Sequence, residues 1–248
     1  MRGLVPGIHV SRPPVMAKTW MAGTSPAMTA LKSPDRLPAR LLLVTDRRQA
    51  VRPLAEILQA AFAAGCRFAS IREKDLSEPA QVVLTKELLP IAERHGAILV
   101  LHGRPEVARA AGLTGVHLRG GSDPRPARDL FGPVGLIGVS VHAPAEAGRL
   151  DPDLVAWAIA GPAFATASKP GYGPALGPAG VGAIAAACPV PVLAIGGVTA
   201  EAIPDLLAAG AAGVAVMGAV MRAGDPGAEI ESLLAALAAA APAQPRPR

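Results

Sequence analysis

Aromatic residues are scarce in this chain: four Phe, two Trp and one Tyr make up 3% of its 248 residues. That scarcity argues against a single-strand nucleic-acid binder, which needs rings on which bases can stack. Cysteine is as sparse. Cys66 and Cys188 stand far apart among apolar residues, with no CxxC or Cys/His spacing, so both read as small buried hydrophobes rather than as a disulfide or a metal pair. No apolar run approaches the roughly eighteen residues of a membrane span. The N-terminal segment lacks the basic region, apolar core and small-residue cleavage site of a secretory signal. The expectation is a cytoplasmic enzyme with no membrane partner. Also missing is a GxGxxG after the first apolar run, the mark of a dinucleotide-binding sheet.

The net charge of +5 suggests a nucleic-acid partner, but its location argues otherwise. Six of the 24 Lys/Arg lie in the first 40 residues and two in the last eight, with only one of the 19 Asp/Glu between them. The remaining stretch is slightly acidic, so the basicity belongs to the tails and no nucleic-acid partner is expected. Residues 1–39, with six prolines and no sustained periodicity, read as a disordered extension, and 241–248 as a Pro-rich tail. Residues 40–240 read as one domain.

Within that domain, apolar runs alternate with helical patterns. The runs are Leu41–Thr45, Phe68–Arg72, Ile98–Leu101, Gly115–Leu118, Leu136–Val141, Leu154–Ala160, Val192–Ile195 and Gly213–Met217. Several of the intervening segments open with Pro near the first helical position (Pro79, Pro105, Pro124, Pro144, Pro178), where its missing N–H costs nothing. Continuous apolar strands separated by helices indicate a parallel sheet covered on its faces. Eight such units in about 200 residues predict a closed α/β fold, a single-domain (β/α)8 TIM barrel.

Two of the runs end in glycine: Ala194-Ile195-Gly196-Gly197-Val198 and Gly213-Val214-Ala215-Val216-Met217-Gly218. Residues without side chains let backbone N–H groups close around an anion. One such run would serve equally as a tight turn. The tandem pair on the last two strands points to the phosphate site of a barrel, built from Gly196, Gly197, Met217 and Gly218. The other strand ends carry Asp46, Arg72-Glu73-Lys74, His102-Gly103-Arg104, His117 to Arg119, Ser140, His142, Thr166, Ser168 and Lys169. This set is mainly cationic and hydroxylic, suited to small phosphate esters. Tyr172 and the glycines and prolines between Lys169 and Pro178 suggest a mobile loop over the pocket.

Six segments, in order and register, resemble the thiamine phosphate synthase/TenI family over about residues 41–237. They are Val44-Thr45-Asp46, Ile71-Arg72-Glu73-Lys74, Gly115-Val116-His117-Leu118, Ile137 to His142, Gly161 to Lys169 and Ala194 to Gly197. The resemblance implies a barrel that handles thiazole phosphate at the carboxyl ends of its strands. It implies that Arg72 and Lys74 bind diphosphate, and that Thr166, Ser168 and Lys169 close over the same group. Gly196, Gly197 and Gly218 would surround the thiazole phosphate, with His102 and Ser140 as further substrate contacts.

The chain departs from the synthase pattern where that pattern supplies carboxylates for Mg²⁺. After the third strand it has His102-Gly103-Arg104, and after the fourth Leu118-Arg119-Gly120-Gly121-Ser122-Asp123. Gly103 offers no ligand, and Asp123 is displaced by about one residue and reads better as a helix cap. By resemblance these departures lean to the TenI branch: a thiazole tautomerase with no metal or other cofactor and His142 as acid/base. An equal reading of His142 is as a plain hydrogen-bonding group. Two alternatives stay open. One is the synthase, condensing hydroxymethylpyrimidine diphosphate with thiazole phosphate, with Mg²⁺ on Asp123 and Asp46. The other is a non-catalytic phosphate-ligand-binding barrel. A small-molecule phosphate is the expected partner, and a homo-oligomer stays open.

Overall fold

The computed structural model describes residues 37–166 and 174–240. Eight parallel strands pair in sequence order and close, the first against the last. They are β1 (Leu41–Val44), β2 (Phe68–Ile71), β3 (Ile98–His102), β4 (Gly115–Leu118), β5 (Leu136–Val141), β6 (Trp157–Ala160), β7 (Val192–Ile195) and β8 (Gly213–Val216). Around them run α1 (Leu54–Ala63), α2 (Glu78–Arg94), α3 (Pro105–Ala110), α4 (Arg125–Phe131), α5 (Pro144–Ala147), α6 (Gly177–Ala187), α7 (Ile203–Ala208), α8 (Gly218–Met221) and α9 (Pro226–Ala239). The fold is the (β/α)8 TIM barrel.

Two cores follow from the two-residue period of the strands. Leu41, Leu43, Ala69, Ile71, Leu99, Leu101, Val116 and Leu118 join the layer packed under the helices. The alternate residues, Leu42, Val44, Phe68, Val100, Leu136, Trp157, Ile159, Leu193 and Ala215, fill the barrel itself. Leu37 and Ala39 pack against this inner cluster, so the chain is already engaged with the barrel ahead of residue 40.

The elements differ from expectation at a few ends. β6 starts at Trp157 rather than Leu154, because the amides of Leu154 and Val155 both turn back to the Asp151 carbonyl. α1 starts only at Leu54, after Pro53, since the Val51 amide is drawn to the Met221 carbonyl. The segment at 200–209 divides into a 3-10 turn, Ala200–Ala202, and α7. The short α8 had no counterpart in the sequence pattern.

The inner core is filled from one side by Trp157, wholly buried, edge-on to Phe68 at 5.2 Å and nearly parallel to the His117 ring at 5.9 Å. Gly138 lies opposite it in the ladder, and a Cβ there would run into the indole. Gly138 is thus fixed by close approach, and Gly138→Val should cost about 1–3 kcal/mol of stability as overpacking does. A urea melt unchanged from wild type would refute it.

His117 is wholly buried, its Nε2 2.9 Å from the Ser140 Oγ, and burial pushes its pKa down to about 3. An unfolded histidine titrates near 6.5, so below that pH the unfolded chain takes up a proton that the folded barrel refuses. Stability should therefore erode by about 1.4 kcal/mol per pH unit as pH falls below ~6.5, ending near the folded value. Burial raises the Glu73 carboxyl, which acts in the opposite sense, but a His117→Gln variant shares Glu73. The difference between the two proteins isolates the histidine: urea melts from pH 7 to 5 should fall more steeply for wild type. Parallel profiles would mean that His117 does not titrate on unfolding.

Candidate active site

The inward alternation of the strands continues past their carboxyl ends, and what it carries there forms one cavity of about 480 Å³. From β1 comes Val44, after Ser70 of β2 Arg72, and after Val100 of β3 His102. His117 leads to Arg119, Gly138 to Ser140 and His142, Ile159 to Gly161, Leu193 to Ile195 and Gly197, and Ala215 to Met217. Lys74, Thr166, Gly196, Thr199, Gly218 and Arg222 complete the wall used below. Thus Arg72, Lys74, His102, Ser140, His142, Thr166, Gly196, Gly197, Met217 and Gly218, singled out from the sequence, meet in one space. Ser168 and Lys169 lie outside the described residues, as do the other residues of the expected loop up to 173, Tyr172 among them.

The Arg-Glu-Lys segment divides its labour by the same alternation. Arg72 and Lys74 face the cavity, while Glu73 between them is buried. Its Oε1 accepts from the Thr45 hydroxyl at 2.6 Å and its Oε2 from the Arg47 amide at 2.9 Å. The Arg72 amide donates in turn to the Thr45 Oγ1 at 3.0 Å. Glu73 therefore ties the ends of β1 and β2 together and sets the direction of its neighbours. Arg72 pairs with Asp46 at 3.6 Å, and Asp75 is bound by Arg47, so neither Glu73 nor Asp75 takes up Arg72.

At the glycine wall, Gly196 and Gly197 have φ of +101° and +61°, which side-chain-bearing residues rarely adopt. A Cβ on Gly197 would also stand 2.5 Å from the Ala165 carbonyl oxygen. Opposite, the His142 Nδ1 lies 2.9 Å from the Gly161 carbonyl oxygen. A carbonyl only accepts, so Nδ1 carries hydrogen and the neutral ring keeps its lone pair on Nε2. That atom faces Gly120, where a Cβ would lie 3.6 Å from it. The His142 amide donates to Glu146 Oε2 at 2.8 Å, anchoring the strand end to α5. The His102 and His117 rings meet at 4.6 Å on the cavity floor, where Ser140 also bonds His117.

The Mg²⁺ that the resemblance implies for a synthase does not fit the carboxylates present. Asp123 points into solvent, bound by Arg125 at 2.9–3.0 Å, and does not line the cavity. Its Oδ1 accepts the amide of Arg125, the first residue of α4, and so covers an amide at the start of that helix. Asp46 is engaged by Arg72 and by the Gln49 amide nitrogen at 2.7 Å. Among the described residues no Asp or Glu lines the cavity, and no three His, Cys, Asp or Glu gather as a metal centre. For the synthase alternative, these ion pairs speak against Asp46 and Asp123 as joint Mg²⁺ ligands.

Arg119 and Arg222 also line the cavity and had no assigned role. Arg119 follows from the inward alternation after His117. Arg222 carries only a faint sequence signal, its place one helical turn beyond Gly218. No helix among the described residues is long and apolar enough to cross a membrane.

Known proteins agree with this geometry. Residues 41–220 match the family described as thiamine monophosphate synthase. The chain is 36% identical to a thiamine-phosphate synthase of Roseiflexus castenholzii, covering 86% of this chain and 96% of the relative. It is 39% identical to that of Mycolicibacterium smegmatis, covering 82% and 93%. Among solved structures, a thiamine phosphate pyrophosphorylase from Pyrococcus furiosus superposes with a TM-score of 0.71 at 27% identity, covering 82% of this chain and 96% of that one. With an eight-stranded barrel, a cationic cavity at the strand ends and this breadth of similarity, the chain belongs to the thiamine phosphate synthase/TenI family of thiamine-pathway enzymes.

Proposed function

We propose that the barrel is a thiamine phosphate synthase, joining hydroxymethylpyrimidine diphosphate to thiazole phosphate with release of diphosphate. The reading is carried by the similarity to proteins named as synthases across nearly the whole barrel, 36–39% identical. This favours the synthase over the tautomerase to which the missing carboxylates leaned. In the reaction the thiazole nitrogen attacks the pyrimidine methylene carbon as its bond to the diphosphate oxygen breaks. The electron pair leaves with the diphosphate, and that growing charge must be met where it forms. Arg72, Lys74 and Arg119 face the same cavity and supply positive charge for it. No step is routed through a metal, because the carboxylates do not fit one. The glycine wall takes the thiazole phosphate on the other side.

A second reading, a metal-free thiazole phosphate tautomerase, is favoured by one observation. His142 presents a lone pair on Nε2 near Gly120 while its Nδ1 is fixed by Gly161, an arrangement suited to moving a proton between ring positions.

Incubating the protein with pyrimidine diphosphate and thiazole phosphate should yield thiamine phosphate, measured after conversion to a fluorescent thiochrome. No product at any Mg²⁺ concentration, together with chelator-insensitive tautomerisation, would transfer the assignment to the second reading. Neither activity would leave a phosphate-binding barrel.

His142→Asn separates the same two. In a synthase it should leave coupling within a few-fold, since no proton transfer to carbon is needed. In a tautomerase it should cut turnover by about a hundredfold with ligand affinity nearly unchanged, the scale of a lost acid/base group. A coupling rate reduced a hundredfold would place His142 in the synthase chemistry and refute that division.

A further inference from the structure

The glycine wall offers backbone N–H groups to an anion but no charge of its own. One cation stands directly over part of it, Arg222 over Gly218. A Cβ placed on Gly218 would stand 2.5 Å from its Nη1 and 2.6 Å from its Nη2, so both arms of the guanidinium lie over that glycine. Arg222 also lines the cavity.

What holds Arg222 there differs from what holds Arg72, which faces the same cavity. Arg47, Arg72, Arg104 and Arg125 are each paired with a carboxylate. Among the described residues no carboxylate lies within 4.0 Å of Arg222. Its Nη1 instead donates to the Gln49 Oε1 in a short hydrogen bond. The Gln49 Nε2 donates to Asp46 Oδ2 at 2.7 Å, which fixes the amide with its oxygen toward Arg222. An amide orients a guanidinium without cancelling its charge. A series thus runs round the rim, Arg72 to Asp46 to Gln49 to Arg222, in which the first cation is paired with a carboxylate and the last is held by an amide beside the glycines. The planar fork of arginine matches two oxygens of a phosphate monoester.

We infer that Arg222 is a ligand of the substrate's phosphate monoester, the charged partner of the Gly196–Gly197–Gly218 wall, and that Gln49 is its positioning residue. The identity of that monoester as thiazole phosphate rests on the proposed function; the phosphate contact does not.

The test is calorimetric titration with three probes: inorganic phosphate, thiazole phosphate and the unphosphorylated thiazole alcohol. Arg222 is exposed at the rim, so Arg222→Met and Arg222→Lys should keep the wild-type melting temperature. Arg222→Met should weaken thiazole phosphate and inorganic phosphate at least tenfold, the effect of losing a hydrogen bond to a charged group, and leave the alcohol within about twofold. Arg222→Lys should recover part of the loss, and Gln49→Leu should show a smaller loss of the same selectivity. Phosphate affinity equal in wild type and Arg222→Met would overturn the assignment, as would a wild type that binds neither phosphate probe. If inorganic phosphate binding depends on Arg222 while neither thiazole compound binds, the phosphate contact stands and the thiazole reading falls.

Discussion

Everything at the candidate site depends on the two-residue alternation of side chains along eight strands locked in parallel register. In a closed barrel one set of alternate residues has no route to solvent except through the ends. Below, that set is mainly apolar, with Leu42, Phe68, Val100, Trp157 and Leu193, and Ser70 and His117 are its buried polar members. Above, the same parity delivers Arg72, His102, Arg119, Ser140 and His142 into a single cavity. A one-residue slip in any ladder would put that strand's polar end under the helices and a Leu or Val in the pocket. Packing of the lower barrel and placement of the site are therefore one constraint. Gly138 shows it at close range: the absent side chain that admits Trp157 below stands two residues before the serine that lines the cavity above.

Parity aims a side chain but does not hold its strand end still, and the Thr45–Glu73 bond does that for β1 and β2. Glu73 sits on the helix-facing side, where burial raises its pKa and the Thr45 hydroxyl and Arg47 amide hold it down. A buried carboxylate costs free energy unless its oxygens are satisfied, and here both are. With Glu73 fixed, Arg72 and Lys74 on either side of it have no choice of face. The order cation, anion, cation along a strand end thus separates a buried structural anion from two cations that face the cavity.

Most of the barrel was legible from the sequence, because buried parallel strands are short apolar runs and Pro-led helices follow them. The strand-end residues were legible for the same reason: a polar residue just after such a run is inward or outward by counting. The counting failed where a turn interrupted the run, as at Leu154 and Val155, whose amides return to Asp151. Arg222 was out of reach, since its place depends on a side chain folding back one helical turn and on Gln49, 173 positions away in sequence. Contacts between distant loops leave no periodic trace.

The distribution of charge ties these points to chemistry. The acidic side chains around the site are committed elsewhere: Glu73 to Thr45, Asp75 to Arg47, Asp123 to Arg125 and Asp46 to Arg72 and Gln49. A cavity edged by Arg72, Lys74, Arg119 and Arg222 with no carboxylate in its wall attracts multiply charged esters from solution. Such a wall can share the charge of a departing diphosphate among several fixed donors, a role that in other sites a divalent cation concentrates at one point. The absence of carboxylates from the wall and the presence of cations in it are then two sides of one arrangement, a cavity whose charged lining is positive.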